Sequence, residues 1–427
     1  MNKKIAYYAL GCKLNFAEAS AIAATFKPKG YDLTTFNKKA DVYLINTCTV
    51  TEKANSKSRN AIQRAIRRNP GAIIIVTGCY AQLKSEELAK IKGVDYIIGT
   101  SNKTEIARMI DTLQKQNAPN IIHTPIRKSV DMLPAWSSGE RTRSFLKIQD
   151  GCDNFCSYCT IPLARGKSRN LPISNIVTQA EEIARNGFKE IILTGVNIAD
   201  FGKSTDEHFL DLLQALGKVK GIERYRISST EPDLLHDEIV DFVLDHPHFM
   251  PHFHIPLQSG SDAMLKIMNR KYDTAFFADR IHYIKQKNKD AFIGVDVIVG
   301  VSGETDKYFR ESLQFAASLD ISFLHVFTFS ERPNTKILDR KPVVPAAEKK
   351  SRSKAMHQLS DKKIKSFYHT QLGNTRPVLF ESSIHNNQIH GFTDNYLRVA
   401  VPENNKLLNQ IKHVHLEKIN NNGIFSK

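Results

Sequence analysis

Residues 145–159 read FLKIQDGCDNFCSYC, a short apolar run followed directly by a loop with three cysteines. The run at 145–148 is typical of a buried strand. In the loop, Cys152, Cys156 and Cys159 (the central trio) have the spacing Cys-x-x-x-Cys-x-x-Cys. Three thiolates from one loop can hold three irons of a cubane cluster while the fourth iron binds an external ligand. The stretch therefore predicts an iron–sulfur cluster that performs chemistry at the end of a strand.

Zinc and disulfides explain this loop less well. A structural zinc ion takes four ligands, usually from two Cys-x-x-Cys halves, and neither a second half nor a pair of histidines lies close by in the sequence. The chain has six cysteines in two groups of three, so disulfides would leave an odd thiol in each group. The clustering also argues against scattered core cysteines.

The second group, Cys12, Cys48 and Cys79 (the N-terminal trio), is dispersed, but each of its members ends an apolar run. The runs are residues 5–12, 42–48 and 73–79. Short β-rich runs separated by helical stretches predict the parallel strands of a Rossmann-like α/β domain, where ligands gather beyond the carboxyl ends of the strands. One such cysteine alone would more often be an inert core residue. Three at equivalent positions are expected to converge.

Length and composition indicate a globular protein with several domains. The 427 residues are enough for two to three domains, and 41% of them are hydrophobic, enough for a core in each. No run of about 18 apolar residues, as a transmembrane helix requires, occurs. The apolar stretch before Cys12 is short for a signal peptide and has no small-residue cleavage site. We therefore expect a cytoplasmic protein, in a reducing compartment that suits unpaired thiolates.

The charge balance indicates a polyanionic partner. Lysine and arginine number 60 against 44 acidic residues, which gives a net charge of +16. The cations are concentrated in two segments, residues 53–68 and 349–365. A solvated basic surface is the alternative, but two such segments favour RNA or DNA over a small neutral substrate.

The chain divides into an α/β domain at 1–116, a linker at 117–143, a central domain at 144–371 and a small β-barrel at 372–420. In the central domain strands alternate with helices, which predicts a parallel sheet whose six strands form an open or partial barrel. The expected strands are residues 145–148, 190–193, 225–228, 253–257, 293–299 and 324–329. The active site of such a barrel lies at the carboxyl ends of the strands, where the central trio falls.

Two further elements complete the prediction. The clearest helix, residues 174–185, has Ser174 as its expected N-cap and Gly187 just beyond its end. The C-terminal part has short β-like runs, and small barrels of this kind often bind nucleic acids, an analogy at the level of the fold. The runs are residues 376–380, 389–391, 396–401 and 413–416.

Over nearly the whole chain, the motifs resemble those of the methylthiotransferases, and the loop of the central trio is similar to that of radical S-adenosylmethionine enzymes. The other matching motifs are Leu10-Gly-Cys-Lys-Leu-Asn15, Asn46-Thr-Cys48, Gly78-Cys79, His254-Ile-Pro-Leu-Gln-Ser-Gly-Ser261 and Met268-Asn-Arg-Lys-Tyr272. The resemblance implies three parts in order: an N-terminal cluster domain, a radical S-adenosylmethionine core with a TIM-like partial (βα)6 barrel, and a C-terminal β module known as TRAM.

Two motifs resemble the branch that modifies threonylcarbamoyladenosine beside the anticodon of tRNA, namely residues 11–15 and Gly391-Phe-Thr-Asp-Asn-Tyr-Leu-Arg-Val399. The isopentenyl-adenosine branch usually has glutamine where Lys13 stands, and a third branch modifies a ribosomal protein. The resemblance implies addition of a methylthio group to C2 of N6-threonylcarbamoyladenosine, with the substrates of the other two branches as alternatives. A non-catalytic iron–sulfur protein that binds RNA is the alternative of another class, and the open iron site in each trio argues against it.

The resemblance also implies the cofactors and partners. The cofactors are two [4Fe-4S] clusters and S-adenosylmethionine. The central trio would hold the cluster that cleaves S-adenosylmethionine to a deoxyadenosyl radical, and the N-terminal trio would hold a second cluster that carries the sulfur to be transferred. The partners are tRNA, an electron donor such as flavodoxin or ferredoxin, and a sulfur source. We expect a monomer that does not associate with membranes.

Further site residues follow from the same resemblance. Tyr158 matches the aromatic position that lies against the adenine of S-adenosylmethionine, with a packing tyrosine as the alternative. Thr194 and Gly195 match a position that contacts the methionine amino group. Gln258 and Asp296, on later strands, are candidate polar contacts to cofactor or substrate.

Two other features allow more than one interpretation. Arg165 either pairs with an anion or is solvated. Four histidines alternate in a short stretch that two prolines interrupt, so we interpret them as loop and strand residues rather than as metal ligands. They are His246, His248, His252 and His254.

Overall fold

The computed structural model describes residues 2–128, 132–139, 142–420 and 425–426. The strands are β1 Lys3–Ala9, β2 Tyr31–Thr34, β3 Val42–Thr47, β4 Ile73–Gly78, β5 Tyr96–Ile98, β6 Asn120–Ile122, β7 Arg143–Lys147, β8 Gln149–Asp150, β9 Arg169–Asn170, β10 Glu190–Thr194, β11 Arg224–Ile227, β12 His252–Gln258, β13 Phe292–Val299, β14 Phe323–Thr328, β15 Thr375–His385, β16 Gln388–Thr393, β17 Arg398–Pro402, β18 Ile411–His415, β19 Lys418–Ile419 and β20 Phe425–Ser426. The helices are α1 Lys13–Ala24, α2 Glu52–Arg68, α3 Cys79–Leu83, α4 Ser85–Ala89, α5 Lys103–Met109, α6 Ile161–Arg165, α7 Ile173–Arg185, α8 Phe209–Gly217, α9 Asp237–Asp245, α10 Asp262–Ile267, α11 Thr274–Lys287, α12 Asp306–Ser318 and α13 Ala346–Thr370.

The N-terminal sheet is parallel throughout, with the strand order β2-β1-β3-β4-β5-β6. All six residues of the central strand β3 are buried, as the apolar run predicts for a sheet covered on both faces. The predicted Rossmann-like α/β arrangement is confirmed. The edge strands β2 and β6 escaped prediction because they are short and mostly exposed, so their sequences lack an apolar run.

The stretch expected to be a linker is only partly one. Strand β6 lies inside residues 117–143 and pairs with β5, which extends the N-terminal sheet beyond residue 116. Further along, the backbone amide of Ser137 donates to Phe145 and that of Lys147 donates to Ala135, at 3.0 and 2.9 Å. This segment therefore lies beside β7 as an additional edge, because its backbone groups find partners there.

The central strands form two parallel three-stranded sheets, β7-β10-β11 and β12-β13-β14. Isolated parallel bridges, Tyr225 with Phe249 and Ser229 with His254, join them into one arc of six strands. Each strand lies within two residues of its predicted position. The predicted partial barrel is confirmed, and one apolar core runs through it.

The expected N-cap of the helix at 174–185 was wrong. Helix α7 begins at Ile173, and Pro172 occupies the cap position without a side-chain hydrogen bond. The Ile173 amide instead donates to Glu207 Oε1 at 2.9 Å. A carboxylate from a distant loop therefore satisfies this amide, which sequence neighbours could not reveal.

The C-terminal strands form a six-stranded sheet with the order β18-β15-β16-β17-β20-β19. It is antiparallel except between β17 and β20. The sheet rests against the barrel, where Arg224 and Arg226 donate to backbone carbonyls of residues 377 and 392–394. All four predicted C-terminal strands are present.

The two basic segments lie on α2 and α13, but part of their charge is used within the chain. Arg59 pairs with Glu52 and Glu87 at 3.1 and 2.9 Å, and Arg352 is buried against Glu304 at 2.8 Å. Other cations, such as Lys57 and Lys354, are exposed. Within the described part of the chain, no helix has the length and apolar character needed to cross a membrane.

Candidate active site

The loop of the central trio lies beyond β8, where the sequence placed it. Hydrogen-bond donors point at two of its sulfurs: the Ile161 amide donates to Cys159 Sγ at 3.4 Å, and Arg270 Nη1 donates to Cys156 Sγ at 3.0 Å. Donors of this kind stabilise thiolates and tune iron–sulfur clusters. Arg270 in turn forms an ion pair with Glu231. Arg270 and Glu231 are site residues that the sequence analysis missed, although Arg270 lies in one of its quoted motifs.

Burial controls the protonation of these thiols. It raises the pKa of Cys152 and of Cys159 to about 12. It also raises the pKa of Cys156, although the nearby charge of Arg270 acts to lower that pKa. Three buried thiols would therefore be neutral without a metal, and iron binding would release their protons. The donor set fits three ligands of a cluster.

A cavity of about 330 Å³ adjoins the central trio. Tyr158, Gln258 and Asp296 line it, and their predicted contacts with cofactor or substrate stay predictions. Gln258 has a φ of 66° at an irregularity of β12, a strained conformation typical of functional sites. The Asn197 side chain, which the sequence analysis missed, also lines the cavity, and neither of its amide atoms has a hydrogen-bond partner within the described structure. An unpaired buried amide indicates a polar ligand.

Thr194 and Gly195 lie at the end of β10 but behind the cavity wall. The Thr194 side chain is buried, and the wall is formed by the next two residues, Val196 and Asn197. Gln149 Oε1 accepts from the backbone amides of both, at 2.9 Å each. The Gln149 side chain therefore holds this turn in place. The predicted contact of Thr194 and Gly195 with the methionine amino group stays a prediction.

The N-terminal trio comes together beyond the carboxyl ends of its strands. Gly11 makes this possible, because a Cβ at its φ of 93° would lie 2.7 Å from Cys48 Sγ. Burial raises the pKa of Cys48 to about 12, with added contributions from Cys79 and Cys12. Cys12 is accessible to solvent, yet its surroundings desolvate the thiol and raise its pKa as well. The mutual effects indicate that the three sulfurs share one site.

The loop that follows Cys48 of the N-terminal trio reaches the cavity of the central trio. Val50 and Thr51, which follow Cys48 closely, line the cavity beside the central trio. This loop is held against the barrel, because the Glu52 amide donates to Ser330 Oγ at 3.1 Å and Arg332 Nη1 donates to the Thr49 carbonyl at 3.3 Å. A ligand in the cavity would therefore touch both domains.

A buried ionic network joins the N-terminal domain to the barrel. Its central carboxylate is Glu18, which pairs with Lys147 at 2.7 Å, with Arg165 at 3.0 Å and with Lys103. The members are the carboxylates Glu18 and Asp150 and the cations Lys103, Lys147, Arg165 and Arg169. Arg165 thus pairs with anions and is not solvated. Cations exceed carboxylates, and Arg165 acts to lower the pKa of Cys12, so the excess charge favours thiolates in the N-terminal trio.

The network also positions the cysteine loops. Arg165 Nη2 donates to Asn15 Oδ1 at 2.6 Å. The Asn15 amide nitrogen donates to the carbonyls of Leu10 and Thr47, at 2.8 and 3.1 Å. These carbonyls belong to the segments that carry Cys12 and Cys48, so a residue of the barrel is linked to the N-terminal trio through one side chain.

The four alternating histidines do not converge. His246 packs against Phe249 and His248, and His252 stacks on Phe292. His254 instead faces a different group, with Nε2 at 2.7 Å from Asp296 Oδ1. His325 completes a set of three polar side chains on neighbouring strands β12, β13 and β14.

We expect the exchange Arg270→Met to lower the reduction potential of the central cluster by on the order of 50–100 mV, because a positive charge at the cluster favours its reduced form. Redox titration followed by electron paramagnetic resonance measures the shift. Lys271→Met removes the same charge from an exposed neighbouring position and serves as the control. An equal shift in both variants would contradict a specific role for the bond to Cys156.

Comparison with known proteins agrees with this geometry. Residues 4–99 match the Uncharacterized protein family UPF0004, and residues 146–316 match the Radical SAM superfamily. Among solved structures, the radical S-adenosylmethionine methyltransferase TsrM from Kitasatospora setae is similar in fold, with a TM-score of 0.58 at 14% identity, covering 79% of this chain and 77% of that one.

Curated relatives match over almost the full length. The threonylcarbamoyladenosine tRNA methylthiotransferase MtaB of Bacillus subtilis is 38% identical, covering 97% of this chain and 94% of the relative. MtaB of Aquifex aeolicus is 36% identical, covering 93% of this chain and 96% of the relative. A tRNA-2-methylthio-N(6)-dimethylallyladenosine synthase of Syntrophus aciditrophicus is 33% identical, covering 78% of this chain and 74% of the relative. The chain therefore belongs to the MtaB family of methylthiotransferases, within the radical S-adenosylmethionine superfamily.

Proposed function

We propose that this protein adds a methylthio group to C2 of N6-threonylcarbamoyladenosine next to the anticodon of tRNA. The observation that carries the proposal is that the loop directly after Cys48, a member of the N-terminal trio, lines the same cavity as the three cysteines of the central trio. The similarity to relatives named MtaB supports the choice of nucleoside. Enzymes of this family use S-adenosylmethionine and [4Fe-4S] clusters.

In this proposal each trio holds one cluster. When bound, the clusters and S-adenosylmethionine supply the one-electron chemistry that activates an inert C–H bond and the methylthio group that replaces its hydrogen. The protein binds and orients. Tyr158 and Asn197 contact the cofactor in the cavity, and Gln258 and Asp296 contact cofactor or substrate. Thr194 and Gly195 contact the methionine amino group, and the loop after Cys48 closes the cavity against water.

The remaining partners are assigned on the same basis. The exposed cations of α2 and α13 and the C-terminal sheet, which we assign as a TRAM module, bind the phosphates of tRNA. An electron donor such as flavodoxin or ferredoxin reduces the central cluster, and a separate sulfur source renews the sulfur. The protein acts in the cytoplasm as a monomer.

The test is mass analysis of nucleosides in tRNA from cells with and without the gene. We expect the methylthio form of threonylcarbamoyladenosine to disappear on deletion, to return with the intact gene and to stay absent with Cys156→Ala. Lys271→Met, which changes an exposed side chain, should restore it. Loss of methylthio-isopentenyl-adenosine, or of a mark on a ribosomal protein, with this nucleoside unchanged would contradict the proposed substrate.

A further inference from the structure

Lys13 is a cation for which the structure provides no partner. It follows Cys12 directly and begins α1, and it is half-buried. Its ammonium group makes no hydrogen bond or ion pair with any residue that the structure describes, and the carboxylate whose charge acts on it is that of Asp296. Asp296 is already hydrogen-bonded to His254 at 2.7 Å. A desolvated ammonium without a close anion is costly unless a ligand supplies one.

A second cation nearby is also incompletely paired. Arg143, at the start of β7, lies over the ring of Phe392 at 4.5 Å and near that of Tyr396 at 6.0 Å. Its Nη1 is buried and has no hydrogen-bond partner within the described structure, whereas its Nη2 forms a long ion pair of 3.9 Å with Glu381 Oε1. Arg143 therefore has a free donor in the same region as Lys13.

The third cation of this region, Arg226, has a carboxylate at hydrogen-bond distance, which Lys13 and Arg143 lack within the described part of the chain. Arg226 lies 3.3 Å from Glu190 Oε1 and also donates to the carbonyl of Asp394 at 2.9 Å. Lys13 thus has no ion pair among the described residues, whereas Arg143 keeps a long pair with Glu381 and also acts on Glu190. Although burial acts to raise the pKa of Tyr396, the charges of Arg143, Lys13 and Arg226 together lower it, as expected where cations outnumber anions.

Asp296 connects this region to the cavity of the central trio. Lys13 is adjacent in sequence to a member of the N-terminal trio and senses the charges of both Asp296, which lines the cavity, and Arg143, which begins β7. A base bound in the cavity whose substituent extends past Asp296 would direct that substituent towards Lys13. The threonylcarbamoyl group ends in a carboxylate, whereas an isopentenyl group is apolar and offers no anion to either cation.

We propose that Lys13 and Arg143 bind the carboxylate of the threonylcarbamoyl group and thereby select this nucleoside. The inference rests on the proposed function and adds the residues that recognise the substrate. A phosphodiester of the tRNA backbone offers similar anionic oxygens, so the experiment must distinguish the two sources.

The experiment compares two tRNA substrates with the reconstituted holoenzyme: one carries N6-threonylcarbamoyladenosine, the other its methyl ester, in which the carboxylate is neutral. For the intact enzyme we expect esterification to lower kcat/KM by roughly 30-fold or more. We expect Lys13→Gln to lower kcat/KM for the native substrate by a similar factor. In this variant, esterification of the substrate should lower kcat/KM by less than about threefold, because the two changes remove the same interaction. Lys13→Arg should retain most activity.

Several results would overturn the inference. If Lys13→Gln loses the same factor with both substrates, the cation binds a phosphate of the tRNA. If the intact enzyme modifies the ester as well as the acid, no cation reads the carboxylate, although the proposed function stands. If it modifies neither, the proposed function itself fails. Lys220→Gln, at an exposed lysine, controls for the loss of one positive charge.

Iron content and visible absorption separate a binding role from damage to the neighbouring cluster. We expect Lys13→Gln to keep the iron content of the intact enzyme. If it loses iron, Arg143→Gln, whose side chain belongs to the barrel and not to the cysteine loop, takes its place in the same comparison. An equal effect of esterification on Arg143→Gln and on the intact enzyme would then overturn the inference.

Discussion

Replacement of Cys152, Cys156 and Cys159 by alanine together is expected to lower the iron content from about eight to about four per chain and to abolish cleavage of S-adenosylmethionine, because a [4Fe-4S] cluster needs these ligands. Methylthio transfer should fall by at least about 10³-fold, since no acid–base group replaces one-electron chemistry at an inert C–H bond. Iron assay and product analysis by mass spectrometry measure both.

The matched variant replaces the N-terminal trio, Cys12, Cys48 and Cys79, by alanine. We expect the same loss of about four irons. Cleavage of S-adenosylmethionine should continue, because the central trio and its cavity are unchanged, while methylthio transfer stops. A variant of the N-terminal trio that still transfers the methylthio group would contradict two clusters with separate roles, and so would one that retains about eight irons.

The exchange Glu18→Gln is expected to destabilise the protein by about 3–5 kcal/mol, because it leaves three buried cations without their shared carboxylate. For a domain of this size, this corresponds to a decrease in Tm on the order of 10 °C. Differential scanning calorimetry of the reconstituted protein measures it. Glu181→Gln, which affects an exposed pair with Arg185 at 3.9 Å, is the control and should leave Tm unchanged within error.

The pH dependence of this difference provides a second check. Burial acts to raise the pKa of Glu18, but Arg165, Lys103 and Lys147 outweigh it and hold the pKa well below its usual range. A carboxyl group with a depressed pKa stabilises the folded state above its unfolded pKa of about 4.3, and this stabilisation is lost as pH falls through the folded value. The Tm difference between the two proteins should be constant from about pH 8 to 5 and shrink below about pH 4. A difference independent of pH would contradict the ionic origin.

Apolar periodicity and motif spacing were sufficient for much of the fold. Strands such as β3 and β4 were predictable because they are buried on both faces and each begins with a run of four apolar residues. The short edge strands β2 and β6 were not, because exposed positions accept polar residues. The N-cap of α7 escaped prediction for a related reason, since Glu207 supplies the acceptor from outside the helix.

The residues of the candidate site also differ in whether the sequence alone could suggest them. The cysteines of the central trio, Tyr158, Gln258 and Asp296 could be proposed from the sequence because their residue types or motifs are distinctive, and the structure places them around one cavity. Asn197 and Glu231 were missed, since an asparagine or a glutamate in a loop has no special pattern until its surroundings are known. Arg165 could be assigned to an anion only when Glu18 and Asp150 were seen beside it.

The sequence by itself determined the chemistry available to this protein: two sets of three thiols, an alternation of strands and helices that forms a parallel sheet, and a basic composition. These properties depend on residue type and local spacing. Only the tertiary structure decided that the loop after Cys48 lines the cavity of the central trio, that Glu18 and Arg165 join the two domains, and that Lys13, without an ion pair among the described residues, lies near the incompletely paired Arg143. Such contacts depend on burial and on the approach of segments more than a hundred residues apart, which local spacing does not encode.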